Sequence, residues 1–207
     1  MKTIILTTKL LLAFVVFYSS EAQHAVLPVA SDDMLFELTF DAATLDASLA
    51  VGAPEPVTVN GKPRFVKGLC GKALVSGEEG AAALYPMAEN IDFDQPGTVT
   101  MWVHPRQWEK KEREHNVAFF MTPFSRQGYI GLQIQGRRRL KSGGQRKRSI
   151  MGFLLYFDEI KNAFATLPAF GDEGQNQWHL LALTWAPGML GVSRDGGPVK
   201  KTQLHGR

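Results

Sequence analysis

The sequence QWHLLALTWAPGMLGVSRDGG, from Gln177 to Gly197, shows the period-2 pattern of extended chain twice. Apolar residues alternate with others along Trp178–Trp185 and again along Leu190–Arg194, as they do in half-buried β-strands. The second run ends at Asp195-Gly196-Gly197, which is a hairpin signal after strand-forming residues. The segment therefore predicts a strand, a turn, a second strand and a further turn.

His179 belongs to this segment and could serve either chemistry or the sheet. On an alternating strand it falls on the same side as Leu181 and Leu183, so it begins a row that is otherwise apolar. A lone histidine in such a row is typical of a hydrogen-bonded structural group. We therefore predict a structural role for His179.

Similar alternation recurs along the chain, and helical periodicity is almost absent. In GTVTMWVHP, Val99, Met101 and Val103 fall on one face and the residues between them on the other. The predicted strands are Met34–Asp41, Lys72–Val75, Ala81–Tyr85, Gly97–His104, Asn116–Phe124, Tyr129–Gln135, Ile150–Phe157, Asn162–Leu167, Trp178–Trp185 and Leu190–Arg194. Ten strands with glycine-rich turns, and no strand–helix–strand alternation, predict an all-β fold made of a two-layer antiparallel sandwich.

Five stretches of the chain, in this order, resemble the laminin-G-like, concanavalin-A-like jelly-roll domain of many secreted proteins. They are LFELTFD, CGKALVSGEEGAAALYP, IDFDQPGTVTMWVHPRQW, GYIGLQIQG and QWHLLALTWAPGMLGVSRDGG. The resemblance runs from Met34 to Gly197, and GTVTMWV and WHLLALTW…GVSRDG are its most specific parts. It implies a jelly-roll sandwich, and in that family the histidine of the tryptophan-histidine strand belongs to the fold.

The resemblance also implies a departure from the family pattern at the C-terminus. After a hairpin such as SRDGGPVKK the family adds further strands, one of which lies beside the first strand. We therefore expect the last strands to be lacking and the first strand, Leu35–Phe40, to be uncovered, as in a fragment or a chain completed by a partner strand. Such an edge favours aggregation or strand addition.

The N-terminus has the pattern of a secretory signal. Two basic residues, Lys2 and Lys9, come before an apolar run, Leu10–Tyr18. Small residues on both sides of Glu21 then predict cleavage by a signal peptidase after Ala22. The run is shorter than the ~20 residues that a membrane-spanning helix needs. The predicted organisation is a signal peptide at 1–22, a linker at 23–33 and one jelly-roll domain at 34–207, in a secreted, extracellular or periplasmic protein without a membrane span.

Composition adds two expectations. The chain has 207 residues, a formal net charge of +3 and a single cysteine, so it is long enough for one sizeable core and forms no internal disulfide. The cysteine, Cys70, is either a reactive or intermolecular thiol or a small buried hydrophobe. We favour burial, because free cysteine is among the most buried residue types.

Tryptophan side chains are candidates for stacking against sugar rings. Trp102, Trp178 and Trp185 lie within predicted strands, where aromatic side chains also fill the core; for Trp178 and Trp185 we favour the core. Trp108 follows Pro105 in a loop rich in lysine and glutamate. It is the tryptophan that we expect to be exposed and the sugar-stacking candidate.

Catalytic patterns are missing from the sequence. Jelly-roll glycosidases of the retaining type need two carboxylates about 5 Å apart, which on one strand means acidic residues at alternate positions. The glycosidase-like families have this as Glu-x-Asp-x-Glu or Glu-x-Asp-x-x-Glu, whereas the stretch LYFDEIKN has Asp158 and Glu159 side by side, as in a solvated turn. Motifs of serine hydrolases, zinc proteases and phosphate loops are also missing, and we predict that the protein is not an enzyme.

No cofactor is predicted, and a calcium site stays open as the less favoured alternative. Several relatives of the sandwich bind calcium through loop aspartates. The spacing of the candidate ligands in this chain does not match a calcium-binding motif. These candidates are Asp41, Asp46, Asp92 and Asp94.

Basic residues are concentrated between predicted strands 129–135 and 150–157. In the segment 137–148, seven of twelve residues are basic and none is acidic. Such a run is either a solvated hairpin loop or a polyanion-binding surface; some laminin-G-like modules bind sulfated glycans through basic patches. The polyanion-binding candidates are Arg137, Arg138, Arg139, Lys141, Arg146, Lys147 and Arg148.

Two function classes remain open. The first is a secreted, non-enzymatic recognition module that binds a glycan or another extracellular polymer. Its possible ligands include anionic polysaccharides and exclude chromosomal nucleic acid. The second is a protein–protein or packing module of a larger surface assembly, or a non-functional fragment of a longer protein. The sequence does not choose between an extracellular polysaccharide and a surface protein as the partner.

Overall fold

The computed structural model describes residues 33–76, 82–105, 117–125, 128–135, 138–139, 145–146, 149–156, 162–170 and 176–203. The chain divides into two compact units, residues 1–91 and 92–207. Within the described residues there is no α-helix, and every strand pairing is antiparallel. No helix of this part has the length and apolar character that a membrane crossing requires. The predicted all-β fold is confirmed.

The described part of the first unit contains three two-stranded ladders. Strand β1 pairs with β2, β3 with β6, and β4 with β5. The strands are short: β1 (Phe36–Glu37), β2 (Leu49–Ala50), β3 (Thr58–Asn60), β4 (Arg64–Lys67), β5 (Lys72–Val75) and β6 (Ala82–Leu84).

Hydrogen bonds from polar side chains connect the loops of this unit. Asn90 is 8% exposed. Its Oδ1 accepts a hydrogen bond from the Gly52 amide at 2.9 Å, and its Nδ2 donates to the carbonyls of Ala53 at 2.9 Å and Pro86 at 3.0 Å. The side chain amide of Asn90 thus satisfies three backbone groups that no strand ladder pairs.

Tyr85 makes a second connection within the first unit. Its hydroxyl donates to the Leu45 carbonyl at 2.6 Å, and its ring meets the Phe36 ring edge-on with centroids 5.1 Å apart. Burial, and secondarily the charge of Asp46, raise the pKa of Tyr85 above its ordinary value. The neutral phenol is therefore the form that this environment favours.

The second unit is a sandwich of two four-stranded sheets. We name each sheet by its two central strands: the β9–β12 sheet has the order β13-β12-β9-β8, and the β14–β15 sheet has the order β16-β15-β14-β7. A small ladder, β10–β11, belongs to neither. The strands are β7 (Gly97–Val103), β8 (Val117–Ser125), β9 (Gly128–Gln135), β10 (Arg138–Arg139), β11 (Gln145–Arg146), β12 (Ser149–Tyr156), β13 (Ala163–Pro168), β14 (His179–Ala186), β15 (Met189–Arg194) and β16 (Lys200–Gln203).

The apolar core of this unit lies between the two sheets. Gly152 on β12 has no side chain, and a Cβ there would lie 2.7 Å from Leu183 Cδ1 of the opposite sheet. The sheets therefore approach closely at this glycine. The fully buried side chains, each at most 1% exposed, are Ile130, Leu132, Ile134, Ile150, Leu181, Leu183, Leu190 and Val192.

All ten predicted strands are present, and the bounds of Lys72–Val75 agree. The first strand is shorter than predicted: β1 ends at Glu37, and Phe40, inside the predicted range, has a φ of 60° that extended chain does not adopt. Among the described residues, β1 pairs with β2 along Phe36–Glu37, which covers one of its two edges. The sequence analysis missed six short or polar strands, namely β2, β3, β4, β10, β11 and β16.

The predicted burial of Cys70 was wrong. Cys70 is exposed at the tip of the β4–β5 hairpin, next to Leu69, which is 50% exposed. Gly71, with a φ of 59°, completes the tight turn, and the Gly68 amide bonds to its carbonyl at 2.9 Å. A four-residue hairpin loop of this kind projects its central residues away from the ladder, so there is no core to enclose the thiol.

Candidate functional site

His179 and Asp195 form hydrogen bonds at the beginning of strand β14. His179 Nδ1 lies 2.8 Å from Asp195 Oδ2, and Asp195 Oδ1 accepts a hydrogen bond from the Leu180 amide at 2.9 Å. Asp195 and Gly196 both have positive φ, 53° and 69°, as the predicted Asp-Gly turn requires. The turn closes with a bond from the Gly197 amide to the Arg194 carbonyl at 2.9 Å. These contacts confirm that His179 is hydrogen-bonded within the fold.

Arg194 is part of the same arrangement. Its Nη1 donates to the Pro168 carbonyl of β13 at 3.1 Å, and its guanidinium carbon lies 5.6 Å from the centre of the Phe170 ring. The Phe170 ring in turn stacks on the imidazole of His179, with centroids 4.3 Å apart. The histidine, arginine and aspartate of the opening segment therefore join β15 to β14 and to the other sheet.

The outward surface of the β14–β15 sheet presents a tryptophan. Trp102 is 47% exposed and lies opposite Leu180, in a row next to Thr100, Ala182 and Ser193. A further row places Thr98 opposite Thr184. We call this surface the tryptophan face and define it as Thr98, Thr100, Trp102, Leu180, Ala182, Thr184 and Ser193.

Two more aromatic rings adjoin the tryptophan face. His104 has the same strand parity as Trp102, and its ring centroid lies 5.1 Å from that of Trp178; both residues are half-buried. Trp185, by contrast, is 8% exposed, packs against Phe93 at 5.1 Å and donates from Nε1 to the Gln95 carbonyl at 2.9 Å. The predicted core position is confirmed for Trp185, while Trp178 lies at the edge of a surface.

The outward surface of the β9–β12 sheet is apolar at its centre. Phe153 lies between Gly131 and Phe164 in one cross-strand row, which ends at Met121. A Cβ on Gly131 would lie 2.9 Å from Cε1 of Phe153, so the missing side chain makes room for this ring. Phe164 is 46% exposed and Met121 58% exposed, whereas Phe153 is 2% exposed.

Polar side chains border this apolar centre on one side. Gln133 lies opposite Met151, and Gln135 lies opposite Ser149. The Ser149 hydroxyl is 3.4 Å from Oε1 of Gln135. We call the whole surface the phenylalanine face and define it as Met121, Gln133, Gln135, Ser149, Met151, Phe153, Phe164 and Thr166.

The predicted polyanion-binding segment contains the small ladder β10–β11. Arg138 pairs with Arg146, and Arg139 pairs with Gln145. The structure thus brings Arg138, Arg139 and Arg146 together along the backbone. The remaining candidates lie outside the described residues: Arg137, Lys141, Lys147, Arg148 and the sugar-stacking candidate Trp108.

The loop aspartates that were considered for calcium are engaged in local hydrogen bonds. Asp41 Oδ1 accepts from the Lys72 amide at 3.2 Å, Asp46 Oδ2 from the Thr44 hydroxyl at 2.9 Å, and Asp92 Oδ1 from the Asp94 amide at 2.8 Å. In the part of the chain that the structure describes, no three His, Cys, Asp or Glu side chains are grouped to hold a metal ion. Asp158 and Glu159 lie outside that part.

Comparison with known proteins supports the fold. No family model matches the chain, and no curated protein does either. Among solved structures, the chain is similar to domain 4 of AbnA, a GH43 extracellular arabinanase from Geobacillus stearothermophilus, in complex with arabinotriose. The TM-score is 0.52 at 18% sequence identity, over 84% of this chain and 78% of that chain. The likeness supports the β-sandwich and does not single out the laminin-G-like family.

Proposed function

We propose that this protein is a non-catalytic carbohydrate-binding module, exported from the cell, that holds a polysaccharide chain on the tryptophan face. The observation that carries the proposal is the exposure of Trp102 on a strand of the sheet. A large apolar side chain that is 47% exposed among threonines on an otherwise packed sandwich favours a binding role over a core role.

The chemistry of the tryptophan face suits a sugar ring. The indole offers a wide apolar surface to the C–H groups of a sugar, and tryptophan combines this with a polar N–H. The hydroxyls of Thr98, Thr100 and Ser193 are donors and acceptors for sugar hydroxyls. An apolar platform with a few placed polar groups is typical of small-ligand sites.

The platform is fixed before a ligand arrives. Strand β7 is paired with β14 from Gly97 to Val103, and Val99, Met101 and Val103 point away from Trp102 toward the half-buried side of the strand. A side chain on a paired strand loses little freedom when it binds, and this lowers the entropic cost of association.

The comparison and the sequence support the same class. The similar structure is a domain of an extracellular arabinanase that was solved with arabinotriose. The signal-like N-terminus favours export, and the sequence has no Glu-x-Asp-x-Glu or Glu-x-Asp-x-x-Glu pattern of the jelly-roll glycosidases. These features favour binding without turnover.

The first experiment measures binding. The secreted chain is tested by affinity electrophoresis and calorimetry against arabinan, laminarin, β-glucan, agarose and carrageenan, as wild type, Trp102→Ala and Phe164→Ala. We expect Trp102→Ala to weaken binding about tenfold or more, which corresponds to about 1.4 kcal/mol. Phe164→Ala is the matched control, since it removes an equally exposed aromatic ring from the other sheet, and it should bind neutral polysaccharides as the wild type does.

The second experiment measures turnover. The same polysaccharides, incubated with the wild-type chain, should release no reducing sugar. Turnover that is lost in Asp158→Asn or Glu159→Gln would contradict the non-catalytic assignment.

A packing module is the second candidate function, and one observation favours it. Phe164 and Met121 are 46% and 58% exposed on the phenylalanine face, where a protein partner could cover them. Two results together would favour this second function over the first. The wild type and both variants would bind none of the polysaccharides, and Phe164→Ala, but not Trp102→Ala, would lose its association with the surface fraction of the producing cell.

A further inference from the structure

The tryptophan face continues past the ends of its strands as a second group of aromatic rings. In the register of β7 with β14, Leu180 lies opposite Trp102, and one row further on the same side Trp178 meets His104. The rings of Trp178 and His104 have centroids 5.1 Å apart and an interplanar angle of 58°. The imidazole therefore supports the indole, and we call Trp178 with His104 the second aromatic position.

The backbone fixes the second aromatic position on both sides. Beyond it, the Asn176 amide donates to the Pro105 carbonyl at 2.7 Å, so the two segments remain hydrogen-bonded after the ladder ends. Asn176 has a φ of 63°, which asparagine adopts more readily than most residues. Trp178 and His104 are thus held between this hydrogen bond and the β7–β14 ladder, as Trp102 is held within the ladder.

The spacing of the two aromatic positions suits consecutive units of a sugar chain. Trp178 lies two residues before Leu180, the partner of Trp102, and such diagonal positions of an antiparallel pair are about 7–8 Å apart. One sugar ring stacked on Trp102 does not require Trp178, whereas a chain that continues in this direction meets both indoles. Trp178 is half-buried and offers part of its ring, while Trp102 offers the larger surface.

The tryptophan face has no Asp, Glu, Lys or Arg among its defined residues. Two cations of the same sheet, Lys200 and Lys201, lie on β16, at the opposite edge from β7. Arg194 is already engaged, since its Nη1 donates to the Pro168 carbonyl at 3.1 Å and its Nε lies 3.5 Å from Asp195. An anionic ligand on this face would lose water without gaining a cation, which is unfavourable.

We propose that the tryptophan face is specific for neutral polysaccharides and binds them over at least two consecutive sugar units, one on Trp102 and the next on the second aromatic position. This inference rests on the function proposed above and names the ligand class of the same face. Stacking supplies the affinity, because each sugar ring that covers an indole removes apolar surface from water. The hydroxyls of Thr98 and Thr100 remain as donors and acceptors for the hydroxyls of the sugar.

Salt and chain length distinguish this site from a charged surface and from a site for a single sugar. A neutral chain carries no condensed counterions, so its affinity should depend little on salt. The affinity should also increase from a single sugar to a short chain, because only the chain reaches both aromatic positions.

The first arm of the experiment tests the ligand class. Four neutral polymers, arabinan, laminarin, β-glucan and agarose, are compared with sulfated carrageenan and with polygalacturonate by affinity electrophoresis at low and at physiological salt. The measured quantity is the affinity that Trp102→Ala loses, because this excludes polymer bound elsewhere on the chain. We expect at least one neutral polymer to exceed both anionic polymers by about tenfold or more, with little change between the two salt concentrations.

The outcomes separate this inference from the proposed function. If Trp102→Ala loses as much affinity for carrageenan or polygalacturonate as for every neutral polymer, the ligand class is wrong and the face remains a binding site. If Trp102→Ala loses affinity for none of the six polymers, the function proposed for the face fails, and this inference fails with it.

The second arm tests the second aromatic position with oligosaccharides of increasing length, prepared from whichever of the four neutral polymers binds best. Trp102→Ala should weaken binding at every length. His104→Ala should weaken the binding of the longer oligosaccharides by about threefold or more and leave a single sugar unaffected. His104→Phe keeps an aromatic ring against Trp178 and should bind as the wild type does. An equal loss at every length in His104→Ala would mean that His104 only stabilises the strand ends.

The third arm uses the wild-type chain and does not depend on how a variant folds. The indole N–H signals are followed by nuclear magnetic resonance while the same oligosaccharides are added. The Trp102 signal should shift with every length that binds, and the Trp178 signal only with the longer ones. Trp185 is the internal control, because it is 8% exposed and its Nε1 donates to the Gln95 carbonyl at 2.9 Å. A Trp178 signal that stays unchanged at every length would refute the second aromatic position.

Discussion

The two units of the chain hold their strands by different means. In the second unit, Leu132, Leu181 and Leu183 are completely buried between two four-stranded sheets. In the first unit, the described residues include one buried side chain, and it is the amide of Asn90. Short ladders with little apolar burial are thus connected by side-chain hydrogen bonds, and long ladders by packing.

The difference determines what kind of substitution each unit tolerates. Apolar packing is non-directional and lost in proportion to the volume removed. A buried amide that serves three backbone groups is directional, and its loss leaves each of them without a partner. Substitutions that change only volume should therefore affect the second unit more, and substitutions that change only hydrogen bonding should affect the first unit more.

The largest effect is expected in the sandwich core. Leu183→Ala removes a fully buried side chain at the point where Gly152 brings the sheets together. We expect a loss of about 2–5 kcal/mol in the free energy of unfolding, measured by urea denaturation with tryptophan fluorescence as the probe. Thr98→Ala on the exposed face of the same sheet is the control and should change little. A loss below 1 kcal/mol for Leu183→Ala would break the comparison.

A smaller effect is expected from the buried amide. Asn90→Leu keeps the approximate volume and removes all three hydrogen bonds, leaving the Gly52 amide and two carbonyls unpaired. We expect a loss of about 1–3 kcal/mol, and faster hydrogen exchange at Gly52 than in the control Asn60→Leu on an exposed strand. If Asn90→Leu is neutral or stabilising, the first unit is held by packing after all.

The hydrogen bond of the Tyr85 hydroxyl provides a further test of the first unit, because its contribution to stability depends on pH. Tyr85→Phe should cost about 0.5–1.5 kcal/mol, since it removes one hydrogen bond and keeps the ring on Phe36. The pKa of Tyr85 is raised in the folded protein by burial and by Asp46, so its contribution is complete below the unfolded pKa and is lost as pH rises through the folded one. The alkaline fall of the urea midpoint should be shallower in Tyr85→Phe than in wild type. Parallel curves for the two proteins would contradict this.

The smallest effect on stability is expected at the tryptophan face. Trp102→Ala should change the free energy of unfolding by about 0.5 kcal/mol, because half of the side chain is already in water. Its effect on polysaccharide binding should be much larger than its effect on stability. A destabilisation comparable to that of Leu183→Ala would mean that Trp102 is a packing residue.

Regular alternation made the central strands predictable. The alternation of Val99, Met101 and Val103 predicted strand β7 and placed Trp102 on the opposite side of that strand. The exposure of Trp102 was nevertheless not predicted, because tryptophan side chains often fill protein cores. The polar edge strand Lys200–Gln203 has no apolar alternation, because the edge of a sheet requires none. Two-residue strands such as Leu49–Ala50 are set by contacts distant in sequence, which no local pattern encodes.

The site was predictable in part. The charge density of the segment 137–148 identified the polyanion candidates from composition alone. The pairing that makes Arg138 oppose Arg146 could not be read from the sequence, since the composition of a segment does not encode which of its residues pair. The exposure of Cys70 was missed because burial statistics for cysteine do not account for its place in a tight turn.

The hydrogen bonds of Asp195 close the β14–β15 hairpin at the end away from its turn. Asp195 lies 15 residues after Leu180, whose amide donates to Asp195 Oδ1 at 2.9 Å. Short loops close quickly and at a small entropic cost. We therefore expect this hairpin, with both ends fixed, to form early when the chain folds, before the pairing of β14 with β7, whose partners are much further apart in the sequence.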